Sequence, residues 1–334
     1  MSPVFVVVVN YRTGPLVVKC LSSLVPELAT LKGGRVIVVD NASEDGSVGH
    51  IAAAIDANGW NAWAEVVPLP RNGGFAYGNN RAIERARAYD PDLGFIVCLN
   101  PDAIVRPGAL SALIGRLESR PDAGVAGASI EDEHGIQQRS AHQFPSPLGE
   151  LEGAAQLGML SRLMPRSRTD APERDGSRRC DWVSGACFAV RRQVLDQIGP
   201  FDEGYFLYFE EIEFCLRARR AGWSCWFVPT ARVVHCEGAS TGIREARRRR
   251  PAYWFASRRR FFLTAHGLLG LIAADVLWAL GRGSFVVRRA IGLGGKAKNR
   301  PEPEHFARDL LFGDARSLLD AWRGNPGLLF GRRS

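Results

Sequence analysis

Four short apolar runs, rich in β-branched residues, mark the first hundred positions: Val4 to Val9, Arg35 to Val39, Ala64 to Val67 and Gly94 to Leu99. They are nearly unbroken rather than alternating, the pattern of strands buried on both faces. Between them, Pro15 to Leu24, Val48 to Asn58, Asn79 to Tyr89 and Pro107 to Ser119 read as helices. Strand and helix in alternation predict an α/β domain with a mostly parallel, Rossmann-like sheet flanked by helices. Each strand runs into a polar, turn-rich segment: NYRTG, DNASEDGS, RNGGFAYGNN and NPD. In an open α/β sheet that carboxyl-terminal edge is where ligands bind.

Beyond these elements the pattern changes twice. Residues 131 to 180 are rich in Pro, Gly, Ser and Arg, with one helix expected around Leu148 to Leu163. A segment this long is expected to be an insertion that serves as a lid or acceptor loop. A second ordered stretch runs from Trp182 to Val234; past Gly242 come arginine clusters and a hydrophobic helix. The expected boundary therefore separates a domain of residues 1–241 from a basic, helical extension of residues 242–334.

At 334 residues and 46% apolar content the chain can bury a large core, which excludes a disordered protein. Seven cysteines lie scattered with no CxxC pair, as expected of a reduced, cytoplasmic chain. The opening MSPVFVVVVNYRTG lacks a basic leader and reads as a strand, so no secretion signal is expected. The net charge of +8 is concentrated: residues 244 to 260 hold eight arginines against Glu245. Such local basicity calls for a local partner.

The chemistry-bearing residues sit at the strand ends. Asp40 and Asn41 end RVIVVD and open into a turn, as either an Asx-turn with a helix cap or an acceptor for the N3 hydrogen of a pyrimidine base. Asn72, Gly73, Gly74 and Phe75 lie in a segment without GxGxxG or P-loop spacing. The glycines make either a plain turn or a close approach of backbone amides to a diphosphate. Asn100 and Asp102 flank Pro101, which is either plain turn chemistry or a site where one holds a ribose hydroxyl while the carboxylate ligates Mg²⁺ or Mn²⁺. Glu210, Glu211 and Glu213 open an evident helix, where the dipole favours acids, beside more aromatics than a cap needs. His235 follows an apolar strand, a place where a histidine is more often structural than a ligand.

In this order the segments VVVVNYRTG, IVVDNASEDGS, RNGGFAYGNN, CLNPDAIV, WVSGACFAVRR, IGPFDEGYFLYFEEIEFCLRARRAGW and VVHCEGAST resemble family 2 glycosyltransferases, most closely a rhamnosyltransferase-like branch. They span roughly residues 4 to 241. The resemblance implies a GT-A fold and an inverting, metal-dependent transfer from a nucleotide-diphosphate sugar. It implies a base pocket at Asn10, Tyr11, Asp40 and Asn41, and a donor site drawing on Asn72, Gly73, Gly74, Phe75, Asn100, Trp182, Gly185 and Glu213. Asp102 and His235 would hold the metal, and Glu211, with Glu210 beside it, would be the catalytic base. Two positions depart from the family pattern: Asn100 stands where an aspartate is usual, and the acid pair is Glu-Glu.

The resemblance favours dTDP-L-rhamnose as donor, UDP-hexoses and UDP-galactofuranose being the alternatives, and a lipid-linked or glycan acceptor in cell-envelope synthesis. A nicotinamide oxidoreductase lacks its glycine fingerprint here. A nucleotidyltransferase lacks its basic amino-terminal signature, and a non-catalytic nucleotide-sugar-binding subunit has no reason to keep Asp102, Glu211 and His235 together. The arginine clusters form no RNA-binding module. Beside the apolar stretch Phe261 to Leu280 they fit an anionic membrane surface instead. That stretch is long enough to span a bilayer, but His266 and Asp275 make spanning costly. A helix at the inner membrane interface, or in a homo-oligomer contact, is expected.

Overall fold

A computed structural model of the chain describes residues 3–31, 33–156, 173–235, 247–292 and 302–324. It falls into two compact units: Met1–Gln143, Arg168–Phe206 and Glu210–Gly242 make one, and Phe144–Ser167, Leu207–Phe209 and Ile243–Ser334 the other.

The first unit is built on the sheet that the apolar runs predict. Strands β1 (Val4–Asn10), β2 (Arg35–Asp40), β3 (Ala64–Pro68) and β4 (Phe95–Leu99) pair in parallel in the order β3-β2-β1-β4. Helices α1 (Gly14–Leu28), α2 (Ser47–Ala57) and α3 (Gly74–Tyr89) make the crossovers. The order reverses at β1, so the carboxyl ends of β1 and β4 flank the crevice where such sheets bind ligands. Val6, Val8, Leu21, Val38 and Val97 are fully buried in the central core.

Past β4 the expected Rossmann-like sheet continues with antiparallel pairs, so that it is mixed as a whole. After β5 (Ala103–Val105), α4 (Ala109–Ser119), β6 (Ala123–Glu131), the two-residue β7 (Ala141–His142), β8 (Arg178–Cys180) and β9 (Trp182–Val183), strand β10 (Cys187–Arg191) runs antiparallel between β4 and β6. It continues directly into α6 (Arg192–Ile198), and α7 (Glu210–Arg220) leads to β11 (Ser224–His235). Strand β11 is parallel to β6 and antiparallel to β5 and β8. Its register against β6 slips between Val228 and Arg232, around Pro229. Proline cannot donate to a ladder, and a bulge is where a strand tolerates one. The slip brings His235 opposite Ala103.

The second unit is helical. Helix α5 (Pro147–Ala155) starts at Ser146, whose hydroxyl accepts from the Gly149 amide, and occupies the first part of the helix expected over 148–163; the rest lies outside the described residues. Helix α8 (Ala252–Ala290) bends at Gly267, whose φ of 70° and ψ of −174° break the helical path, and α9 is Phe306–Gly324. Beyond the bend α8 is apolar on two faces. Leu271, Ala274, Trp278, Gly281 and Phe285 are buried, with Gly281 so close to α5 that a Cβ would lie 2.6 Å from the Leu151 carbonyl oxygen. Leu269, Ile272, Val276, Leu280, Val287 and Ile291, also at helical spacing, are exposed. The polar residues that make spanning costly have partners inside this unit. Asp275 accepts from Arg258 at 2.9 Å, and His266 Nε2 lies 2.9 Å from the Pro145 carbonyl. Arg258 is itself buried and also pairs with Asp314 at 3.2 Å and Glu150 at 3.4 Å. The six described cysteines are free; Cys236 lies outside the described residues.

Candidate active site

The carboxyl edge of the parallel half is locked by polar residues that consume one another. Asn10 and Asp40 are register partners at the ends of β1 and β2. Asn10 Nδ2 donates to Asp40 Oδ1 at 2.6 Å, while the Ser43 hydroxyl donates to Oδ1 at 2.6 Å and its amide to Oδ2 at 2.9 Å. Asn10 Oδ1 accepts from the Thr13 amide and hydroxyl. Asp40 thus accepts from the amide three residues on and closes its own turn, and both side chains are buried. Tyr11, half-buried just past β1, carries the Arg12 guanidinium against its ring. Asn41 donates to the Gly74 carbonyl at 2.9 Å, and its buried Oδ1 has no partner among the described residues.

The glycine-rich loop is also turned inward. Asn72 Oδ1 accepts from the Gly74 amide at 3.0 Å, and the Phe75 amide donates to the Phe206 carbonyl at 2.8 Å. Two of the amides that the sequence offered to a diphosphate are therefore engaged. Gly74 has φ +88°, and a Cβ there would sit 2.0 Å from the Phe206 oxygen, so only glycine fits. The loop's partner is the segment that leads to the acids of α7. Asn80, which the sequence reading passed over, clamps that segment: it donates to the Phe201 carbonyl and accepts from the Phe201 amide, both at 2.9 Å. Its signal was the second asparagine of the NN pair, a weak helix former inside a helix, where its buried amide needs a partner.

Glu213 and Trp182 have structural partners. Glu213 is buried and gripped by Arg217 through both oxygens, at 2.7 and 2.9 Å, while Arg217 also donates to the carbonyls of Ile198 and Pro200. The i,i+4 arginine thus holds the carboxylate of a residue expected among the substrate-binding ones. Trp182 donates its indole N–H to the Gln143 carbonyl at 2.8 Å and stacks on His142 at 4.2 Å between ring centroids. Burial pushes the His142 imidazole down to about 4, with Arg139 adding to the effect.

What remains is a chain of contacts across the end of β4. Asp102 Oδ1 lies 3.1 Å from His235 Nε2, and Asn100 Nδ2 lies 3.0 Å from the same nitrogen. The Asn100 amide donates to the Ala186 carbonyl at 2.9 Å. The neighbouring Gly185 faces Glu211: a Cβ there would be 3.6 Å from its carboxylate. Glu210 and Glu211 follow two residues of positive φ, Tyr208 at 68° and Phe209 at 71°, a strained turn that ends at the helix start. Glu210 is buried and Glu211 half-buried. Desolvation pushes the Glu211 carboxyl up to about 7 against the pull of the helix-start amides. Glu210 is driven well above the carboxylate range by burial and then by Glu211. Both Oε2 atoms and His235 Nδ1 are buried without a partner among the described residues.

No group of three or more acidic, His or Cys side chains able to hold a metal occurs among the described residues. The pair Asp102 and His235 still suits a divalent cation. Two ligands of an octahedral ion with bonds of about 2.1 Å sit about 3 Å apart, close to the separation found here, and Mg²⁺ or Mn²⁺ usually takes its remaining ligands from phosphate and water.

A family model described as "Glycosyltransferase like family 2" matches residues 2–260. The chain is 32% identical over 298 residues to an N-acetylglucosaminyl-diphospho-decaprenol L-rhamnosyltransferase of Mycobacterium tuberculosis, covering 85% of this chain and 90% of that one. It is 30% identical over 167 residues to the rhamnosyltransferase WbbL of Escherichia coli, 48% of this chain and 60% of that one. Among solved structures, a mannosyltransferase from Pyrobaculum calidifontis in complex with GDP-Man and Mn²⁺ superposes with a TM-score of 0.56 at 15% identity, over 95% of this chain and 80% of that one. With a GT-A fold and most of its length matched, the chain belongs to glycosyltransferase family 2.

Proposed function

We propose that this glycosyltransferase moves L-rhamnose from dTDP-L-rhamnose, with inversion, onto a hydroxyl of a polyprenyl-diphosphate-linked N-acetylglucosamine in cell-envelope synthesis. The observation that carries the catalytic part is Glu211: a carboxylate at the start of α7, with one buried oxygen unpartnered and its proton affinity raised towards neutrality. A base acts best when its pKa lies near the working pH, and such help is worth about 10²- to 10⁴-fold. Glu211 takes the acceptor hydroxyl's proton as that oxygen attacks the anomeric carbon and the nucleotide diphosphate departs from the opposite face. Gly185 leaves room beside the carboxylate for the acceptor. Asp102 and His235 hold the divalent cation, which when bound supplies positive charge for the leaving diphosphate. Asn100 meets a donor hydroxyl, Tyr11 offers a face to the base, and Asn41 offers the carbonyl that has no partner among the described residues. Asn10 and Asp40 hold the walls of that pocket together. The donor and acceptor chemistry follows the names of the similar rhamnosyltransferases.

A lipid-linked acceptor places the enzyme at the cytoplasmic membrane face. Supporting this, α8 has the length and hydropathy to cross a bilayer, yet one of its faces packs on α5 and the other exposes the stripe from Leu269 to Ile291. We assign that stripe to the membrane interface. Sedimentation with vesicles tests it: anionic vesicles should bind strongly at low salt and less as salt rises, and equal binding to neutral vesicles, or none, overturns it. For the reaction, purified protein with Mg²⁺ or Mn²⁺ is offered a panel of nucleotide sugars together with the lipid-linked acceptor. Transfer from dTDP-L-rhamnose is expected; transfer only from a UDP-sugar overturns the donor assignment, and turnover of none overturns the enzyme reading.

A further inference from the structure

The second unit contains an open groove of about 1100 Å³ between the start of α8 and one face of α9. Five arginines line it, Arg249, Arg250, Arg259, Arg308 and Arg316, against two aspartates, Asp309 and Asp320. Their ion pairs leave positive charge in excess. Asp309 is shared by Arg249, at 2.6 and 3.0 Å, and Arg308, at 3.1 Å. Arg259 bonds the buried Asp314, which Arg258 also uses. Arg316 comes within 3.8 Å of Asp320 only as an exposed pair, a contact that contributes little in water. Apart from Ser317 the rest of the lining is apolar: Pro251 just before α8, Ala252, Phe255 and Ala256 on it, and Phe312 and Gly313 on α9. Phe312 is 73% exposed and stands one helical turn from both Arg308 and Arg316, so guanidinium, ring and guanidinium follow one another along a single face.

A free anion would use the arginines and waste the rings; an uncharged lipid would do the reverse. We propose that this groove binds the diphosphate and first isoprene units of a polyprenyl-diphosphate-linked sugar, the guanidinium forks taking the phosphate oxygens and Phe312 and Phe255 taking the chain. The assignment rests on the lipid-linked acceptor reading above and adds to it where the lipid is held.

The test uses the full chain and farnesyl diphosphate as probe, with inorganic diphosphate and farnesol as separate arms, by titration calorimetry. Farnesyl diphosphate should bind at least about tenfold more tightly than either part alone. An R308S/R316S double variant should lose at least about tenfold for farnesyl diphosphate and for inorganic diphosphate. Phe312→Ser should weaken only the farnesylated probe. Both variants alter exposed side chains, and an unchanged melting curve with unchanged donor hydrolysis shows that the first unit is intact. Equal binding of inorganic and farnesyl diphosphate, or wild-type binding by both variants, overturns the groove as a lipid-diphosphate site. So does retention on phosphatidylglycerol vesicles that farnesyl diphosphate fails to displace, because the charge then serves the bilayer. Failure of the acceptor reading looks different: the probe binds and the variants lose it, yet no lipid-linked sugar is glycosylated.

Discussion

Two polar clusters stand at the same edge of the sheet, and they differ in how much of their hydrogen-bonding capacity the protein itself uses. Around Asp40 the hydrogen bonds among the described residues are internal, and carboxylate, amide and hydroxyl hold the ends of β1 and β2 together. Around Glu211 and His235, three buried polar atoms lack partners among the described residues. Burying a polar atom without a partner costs about 1–3 kcal/mol. On our proposal that cost is kept where a ligand meets the atom, which makes the hydrogen bonds around Asp40 scaffold and the Glu211 and His235 cluster the place for chemistry.

The sharpest way to break this contrast is Glu211→Gln. It should leave donor affinity near wild type and lower kcat at least about a hundredfold, since only the proton acceptor is lost. In wild type kcat should rise with pH through about 7 as the base deprotonates, a limb that the glutamine variant lacks. If Glu210→Gln is the inactive variant and Glu211→Gln turns over normally, the roles are exchanged. Next in size, Asp102→Ala should weaken metal-dependent donor binding by about tenfold or more, followed by calorimetry with and without Mn²⁺. Donor binding that stays metal-dependent in this variant would move the cation elsewhere.

The parallel half of the fold was legible because each strand is buried on both faces and is written as a continuous apolar run. The antiparallel half was not, since β5, β7, β8 and β9 have only two or three residues, too few for a period to show. Helix α3 starts at Gly74, not at the expected Asn79, because glycines that read as loop are needed for close packing against Phe206, Tyr77 and Val9. Within the site, the acids at the start of α7 were visible as a local pattern, and the division of labour among them was written in the arginine four residues after Glu213. The meeting of Asp102 with His235 was implied by the resemblance alone; no local pattern in the chain shows it. It depends on the register slip of β11 and its pairing with β5, facts of tertiary structure alone.

Asp40→Asn probes the saturated cluster. An amide puts N–H groups where Asn10 and Ser43 already donate, so stability should fall by about 3 kcal/mol in urea unfolding while kcat per folded molecule stays near wild type. A selective rise in donor KM with unchanged stability would instead make Asp40 a contact to the nucleotide base.

The smallest expected effect has the opposite sign, and it belongs to the unsaturated cluster. The Glu211 carboxyl is raised from 4.5 to about 7 on folding, chiefly by desolvation. The native state therefore holds this proton more tightly than the unfolded chain does. Between about pH 4.5 and 7 the unfolded state releases it first, so this group's contribution to stability falls as pH rises through that window and stays low above it. Such a shift corresponds to roughly 3 kcal/mol, reduced to about 2 by the water that reaches a half-buried side chain. Glutamine carries no proton to lose. Glu211→Gln should therefore match wild type in stability near pH 4 and exceed it by about 2 kcal/mol above pH 8, read from urea midpoints across that range. A variant that is equally stable at both ends would show that Glu211 is solvated like any surface acid, and the contrast between the two clusters would then rest on His235 and Glu210 alone.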